Sequence, residues 1–117
     1  MLLRALLCVC FCSLVLLEGC AVRGLNLREG IHSFQVQDYR QAFIRLKPEA
    51  EKGQLDAQYA MGYMYYYGQG VVESRSKACY WIALAAKAGQ PDAIVALKRI
   101  RHMPSACGQH VWKKNDR

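Results

Sequence analysis

The sequence predicts an all-α fold of short paired helices, and three observations lead there. The first is an internal repeat. Ala50-Glu51-Lys52-Gly53-Gln54-Leu55-Asp56-Ala57 returns 36 residues later as Ala86-Lys87-Ala88-Gly89-Gln90-Pro91-Asp92-Ala93, and the same interval pairs Ala42 with Ala78, Leu46 with Ile82, Ala60 with Ala96 and Met61 with Leu97. A period of this size belongs to stacked helical hairpins. The second is punctuation: in each copy a glycine, Gly53 or Gly89, separates one helix end from the next helix start, where a left-handed C-terminal cap suits glycine best. The third is apolar spacing. Ala57, Ala60, Met61, Met64 and Tyr65 share one helical face, as do Ala78, Trp81, Ile82, Ala85 and Ala86.

Taken from the N-terminus, the first element stands apart from that repeat. Met1 to Arg4 is followed by an apolar run from Ala5 to Leu17, the length of a signal-peptide core and short of the roughly 20 residues that span a membrane comfortably. The run ends at Leu17-Glu18-Gly19-Cys20. These residues resemble a lipobox, the bacterial lipoprotein signal, in which Cys20 is lipidated and becomes the first mature residue. Glu18 departs from the small residue usual at its place, and an ordinary signal peptide or an uncleaved anchor is the competing reading. On the lipobox reading residues 1–19 are the signal peptide, and residues 20–37 hold the lipidated N-terminus, a linker and a weak helix near 26–36.

The helical region is expected over residues 38–103. Helices are predicted at 39–52, 55–67, 74–88 and 92–103. Pro48 is out of place inside the first of them and predicts a kink or a shifted start. Pro91 fits the first turn of a helix, and Asp56 and Asp92 put negative charge near helix N-termini, where the dipole favours it. After Pro104 the periodicity stops, leaving 104–117 as a basic tail.

Ala50-Glu51-Lys52-Gly53, Asp56-Ala57-Gln58-Tyr59, Met61-Gly62, Tyr65, Gly68-Gln69-Gly70-Val71, Lys77-Ala78, Trp81 and Ala85-Ala86-Lys87-Ala88-Gly89 resemble the Sel1-like repeat, a relative of the tetratricopeptide repeat. The resemblance runs from about Tyr39 to Leu97. It implies a short tetratricopeptide-like α–α superhelix whose inner surface binds other proteins, with Gly68 and Gly70 in the loop between the helices of a pair. Read alone, that Gly-x-Gly suggests a phosphate loop, but no strand precedes it and no third glycine follows. The second copy has Lys98, Pro104 and Ala106 where the first has Gly62, Gly68 and Gly70. A further stacked unit is therefore not expected, and the last helix reads as a terminal cap.

The chemistry on offer is that of a binding protein and not of an enzyme. The formal net charge is +7, and in the last twenty residues Lys98, Arg99, Arg101, Lys113, Lys114 and Arg117 face only Asp116. Export argues against nucleic acid, so an acidic protein or an anionic membrane surface is the expected partner, the alternative being a solvated tail with no partner. His32, His102 and His110 are scattered, and no nucleophile with its base is recognisable. Cys107-Gly108-Gln109-His110 is half of a zinc-ligand spacing without its other half, so no metal and no cofactor are expected. Glu49 and Glu51 read as solvated charges. Cys8, Cys10 and Cys12 lie in the apolar run, which leaves Cys79 and Cys107 either to pair in an oxidising compartment or to stay as buried thiols.

The candidate protein-binding residues are Tyr59, Tyr63 and Tyr66, a stripe at helical spacing, with Val95, Arg99 and His102 at the equivalent positions 36 residues on. Aromatic residues and arginine dominate interface hot spots; the alternative is that two of the tyrosines complete the core. The function read from the sequence is an envelope lipoprotein adaptor. The absence of aspartate after Cys20 points to the outer membrane, with the protein facing the periplasm. The rival reading is a periplasmic immunity or inhibitor protein that blocks a secreted effector.

Overall fold

The computed structural model describes residues 1–102 together with Cys107, leaving out the side chains of residues 13–23. The lipidation expected at Cys20 and the basic tail at 104–117, Cys107 apart, thus lie outside the described residues. Five α-helices follow one another among those residues: α1 (Leu2–Gln35), α2 (Tyr39–Glu51), α3 (Leu55–Tyr67), α4 (Arg75–Lys87) and α5 (Pro91–Arg101). The four helices expected over 38–103 appear within a residue or two of their predicted bounds. The start of α2 is not displaced by Pro48, which sits close to the helix end. The missing N–H of Pro48 leaves the Ile44 carbonyl without the usual intrahelical donor.

The first helix differs from expectation. It is one continuous helix from Leu2 to Gln35, where the sequence reading placed only a weak segment near 26–36. Leucine, abundant in its first half, is among the best helix formers, and no proline interrupts the run. Only its C-terminal part joins the fold. Leu27, Ile31 and Phe34 pack on the core, and Gly30 is buried against α2, whereas Leu2, Leu3, Leu6, Leu7, Val9 and Phe11 are all exposed. Among the described residues no helix is long and apolar enough to cross a membrane.

Consecutive helices run antiparallel. In the first pair Phe34 meets Tyr39 at one end while Glu29 pairs with Arg45 further along. Between α2 and α3, Phe43 meets Tyr65, and Gln58 donates from Nε2 to the carbonyl of Ala50 at 3.1 Å. Between α3 and α4, the Arg75 guanidinium lies 3.9 Å from the centre of the Tyr66 ring, and Gly62 abuts Ala78 and Ile82. Helix α3 is central. Ala57, Ala60, Met61 and Met64 bury into a cluster with Ala42, Leu46 and Ala50 of α2, while Tyr59 and Tyr66 lean on a second cluster built by α4 and α5. A helix flanked on both sides has no polar face to spare, which is why its apolar residues do not form one clean stripe.

Small residues set the spacing. A Cβ on Gly62 would stand 2.5 Å from Cγ1 of Ile82, and one on Gly70 would stand 2.7 Å from the Tyr39 carbonyl. The repeated glycines close their helices as expected, with φ of +98° at Gly53 and +97° at Gly89. In both copies the residue after the glycine donates to a carbonyl five residues back: Gln54 to Glu49 at 3.1 Å and Gln90 to Ala85 at 3.0 Å.

Glu49 is a correction. Expected as a solvated charge, it is only 2% exposed and accepts a hydrogen bond from the Lys52 ammonium at 2.9 Å. It lies on the helical face of Ala42 and Leu46, and that face is turned inward.

Candidate functional site

Three helices build one cleft of about 340 Å³. Helix α3 contributes Tyr59, Tyr63, Tyr66 and Tyr67, the floor holds Ile82 of α4, and the far wall is Ala96, Arg99 and Ile100 of α5. The two walls are registered at their base by a polar bridge. Gln90, buried at the start of α5, donates to Asp56 Oδ1 at 3.3 Å and accepts from the Ala93 N–H at 2.6 Å. Asp56 thus acts structurally, in the first turn of α3, as its place near a helix N-terminus suggested.

The tyrosines differ in what holds them. Tyr63 meets Phe34 of α1 at 5.3 Å and Tyr67 at 4.7 Å between ring centres, so it is partly a structural residue. Tyr66 is placed between Tyr67, 4.9 Å away, and the Arg75 guanidinium. Tyr59 faces α5. Its phenol is held above the ordinary tyrosine value by burial first, then by the charge of Asp92 and the neighbouring Tyr63 and Tyr67, with Arg99 opposing. Burial also raises the Tyr63 phenol, with smaller contributions from Tyr39 and Tyr67. Both hydroxyls therefore stay protonated at neutral pH and can donate hydrogen bonds.

Electrostatically the two ends of the cleft are unlike. Arg75 is paired with Glu73 at 2.9 Å, whereas Arg99 is exposed and forms no ion pair among the described residues. Arg99 belongs to the last turn of α5, together with Lys98 and Arg101. What the cleft offers among the described residues is thus hydroxyl donors, an apolar floor and one cation outside the ion pairs.

Of the six residues singled out in the sequence, Tyr59, Tyr63, Tyr66 and Arg99 come together here. Val95 and His102 do not; both are exposed outside the cleft. The repeat interval explains the difference. Val95 and His102 correspond to Tyr59 and Tyr66, which face the next layer of helices, and among the described residues no helix follows α5. Ala96 and Ile100, missed in the sequence, correspond to Ala60 and Met64, which face the preceding layer. That correspondence could have found them.

Cys79 and Cys107 are joined in a disulfide, Cα atoms 5.9 Å apart, and both are buried in the cluster beneath α5. Among the described residues no three His, Cys, Asp or Glu side chains are grouped to hold a metal.

Paired antiparallel helices, small residues at their crossings and a positive-φ glycine at each turn from α2 to α5 coincide with a family match. The Sel1 repeat model matches residues 55–90, which span α3, the loop holding Gly68 and Gly70, α4 and the turn at Gly89. Residues 55–90 are thus a Sel1 repeat. No curated protein and no solved structure matches the chain. Sel1 repeats generally mediate protein–protein interaction and are typically non-catalytic.

Proposed function

We propose that this Sel1-like repeat protein is an exported envelope lipoprotein that acts as an adaptor, anchored through Cys20 and holding an acidic segment of another protein in the cleft between α3 and α5. The observation that carries the binding half is the pairing of a tyrosine-lined wall with an exposed Arg99 that has no ion-pair partner among the described residues. Aromatic and arginine side chains around an apolar floor form the composition of interface hot spots, and the surplus of positive charge selects an acidic ligand. The anchoring half is supported by the lipobox-like Leu17-Glu18-Gly19-Cys20 and by the exposed apolar side chains at the start of α1. Such side chains suit a signal segment that leaves the domain. Ala21 in place of aspartate supports outer-membrane attachment facing the periplasm under enterobacteria-like sorting.

Crosslinked affinity capture from envelope fractions, with intact mass on the same sample, tests both halves. Wild type is expected to retain an acidic partner and to carry lipid mass on a chain beginning at Cys20. Arg99→Glu is expected to lower capture at least tenfold with the melting temperature unchanged. Capture undiminished by Arg99→Glu and by Tyr66→Ala would reject the cleft. An unlipidated mature chain would reject the anchor. A single equimolar, tightly held partner would convert the adaptor into an inhibitor.

A further inference from the structure

The disulfide stands where it can decide whether the cleft exists at all. Helix α5 is the terminal helix of the described array and packs on α4. It contributes only Ala93 and Ile100 as buried side chains, with Ile94, Ala96 and Leu97 partly covered, yet it supplies Ala96, Arg99 and Ile100 to the cleft. Polar attachment to α3 is the Gln90–Asp56 bridge at its first turn. At its other end the chain is tied back by Cys107, just beyond α5, to Cys79 of α4, a link across 28 residues of sequence. A terminal helix with so little buried apolar surface gains most from a covalent closure of its own loop.

We infer that the Cys79–Cys107 disulfide is a redox staple, so that the α5 wall, and with it the binding cleft, is held closed only in the oxidised protein. A dithiol of the thioredoxin class would open it. One of its thiolates attacks a protein sulfur, the Cys79–Cys107 bond breaks and a mixed disulfide forms. The second thiolate then displaces the protein sulfur. Two electrons and two protons end on Cys79 and Cys107, and the reductant leaves as its own disulfide. Cys79 is fully buried and Cys107 is 3% exposed, so attack requires α5 to lift first. A ligand bridging α3 and α5 would therefore protect the bond, and the intact bond would favour the ligand, as linkage requires.

Amide hydrogen exchange on the whole chain, oxidised and then reduced with dithiothreitol, tests this, with α2 and α3 as internal references. Reduction is expected to speed exchange across α5 on the order of a hundredfold, the size of effect given by closing a loop of this length, while α2 and α3 change less than about threefold. The doubly substituted Cys79→Ser, Cys107→Ser chain should match the reduced wild type. Unchanged protection of α5 on reduction would overturn the inference. So would equal loss of protection in every helix, because the bond would then hold the fold and not the wall. The importance of the wall for binding rests on the function proposed above, but this readout needs no partner. Failure of capture leaves the exchange result standing, and failure of the exchange result leaves capture standing.

Discussion

Tyr59 shows how a single side chain reports on the cleft. Its folded pKa lies above the unfolded value, because burial and the nearby Asp92 both disfavour the phenolate. The neutral phenol is thus the form that fits the fold. Its contribution to stability is complete below the unfolded value of about 10 and is lost as pH rises through the raised folded value. Thermal melts followed by circular dichroism from pH 8 to 11 should therefore show a fall in melting temperature above about pH 10 that is shallower in Tyr59→Phe. Superimposable curves for the two proteins would refute the assignment. Glu49 carries the opposite lesson. Its side chain lies on the face of Ala42 and Leu46, so the periodicity that placed those residues in the core also placed it there, and the charge type was the misleading guide.

At the scale of elements, the two copies of the repeat are alike in backbone and unlike in side-chain use. Gln54 and Gln90 hold equivalent N-cap positions before α3 and α5, but Gln54 makes no side-chain cap and Gln90 makes two hydrogen bonds, one within its helix and one to Asp56. Gln90→Ala should therefore cost about 1–2 kcal/mol, a lost cap plus a lost buried hydrogen bond. Gln54→Ala should stay within roughly 0.5 kcal/mol, as exposed substitutions usually do. Denaturant midpoints of the two variants decide this, and equal losses would mean that the bridge is not selective for the second copy. The asymmetry was not readable in the repeat, because both copies spell Gly-Gln-x-Asp-Ala and only the packing distinguishes them.

Across the whole molecule, stability is divided between two clusters that meet on either side of α3. The part of α1 that packs on the core is the segment holding Leu27, Gly30, Ile31 and Phe34. A chain beginning at Cys20 is accordingly expected to melt within about 4 °C of the full chain, since a surface change of roughly 0.5 kcal/mol or less moves a domain of this size no further. Removing residues 1–37 exposes the α2–α3 cluster and takes away the ring contacts of Phe34 with Tyr39 and Tyr63. The expected loss is roughly 3 kcal/mol or more, the value of two buried apolar side chains. Thermal melts of the two truncations measure this; equal stability of both would show that α1 is no part of the domain.

Helices α2 to α5, the turns at Gly53 and Gly89, the inward faces of α3 and α4 and the repeat to which they belong could be read from residue order alone. Each depends on local periodicity, on glycine's access to positive φ and on charge near helix ends, which are properties of neighbouring residues. What required the folded chain was everything that depends on which layer is last. Tyr59, Tyr63, Tyr66 and Arg99 form one cleft, Val95 and His102 lie outside it, Glu49 is buried, and Cys79 reaches Cys107. A periodic pattern assigns equivalent positions to successive helices, but the environment at each position is set by the neighbour that covers it, and at the end of the described array that neighbour is absent.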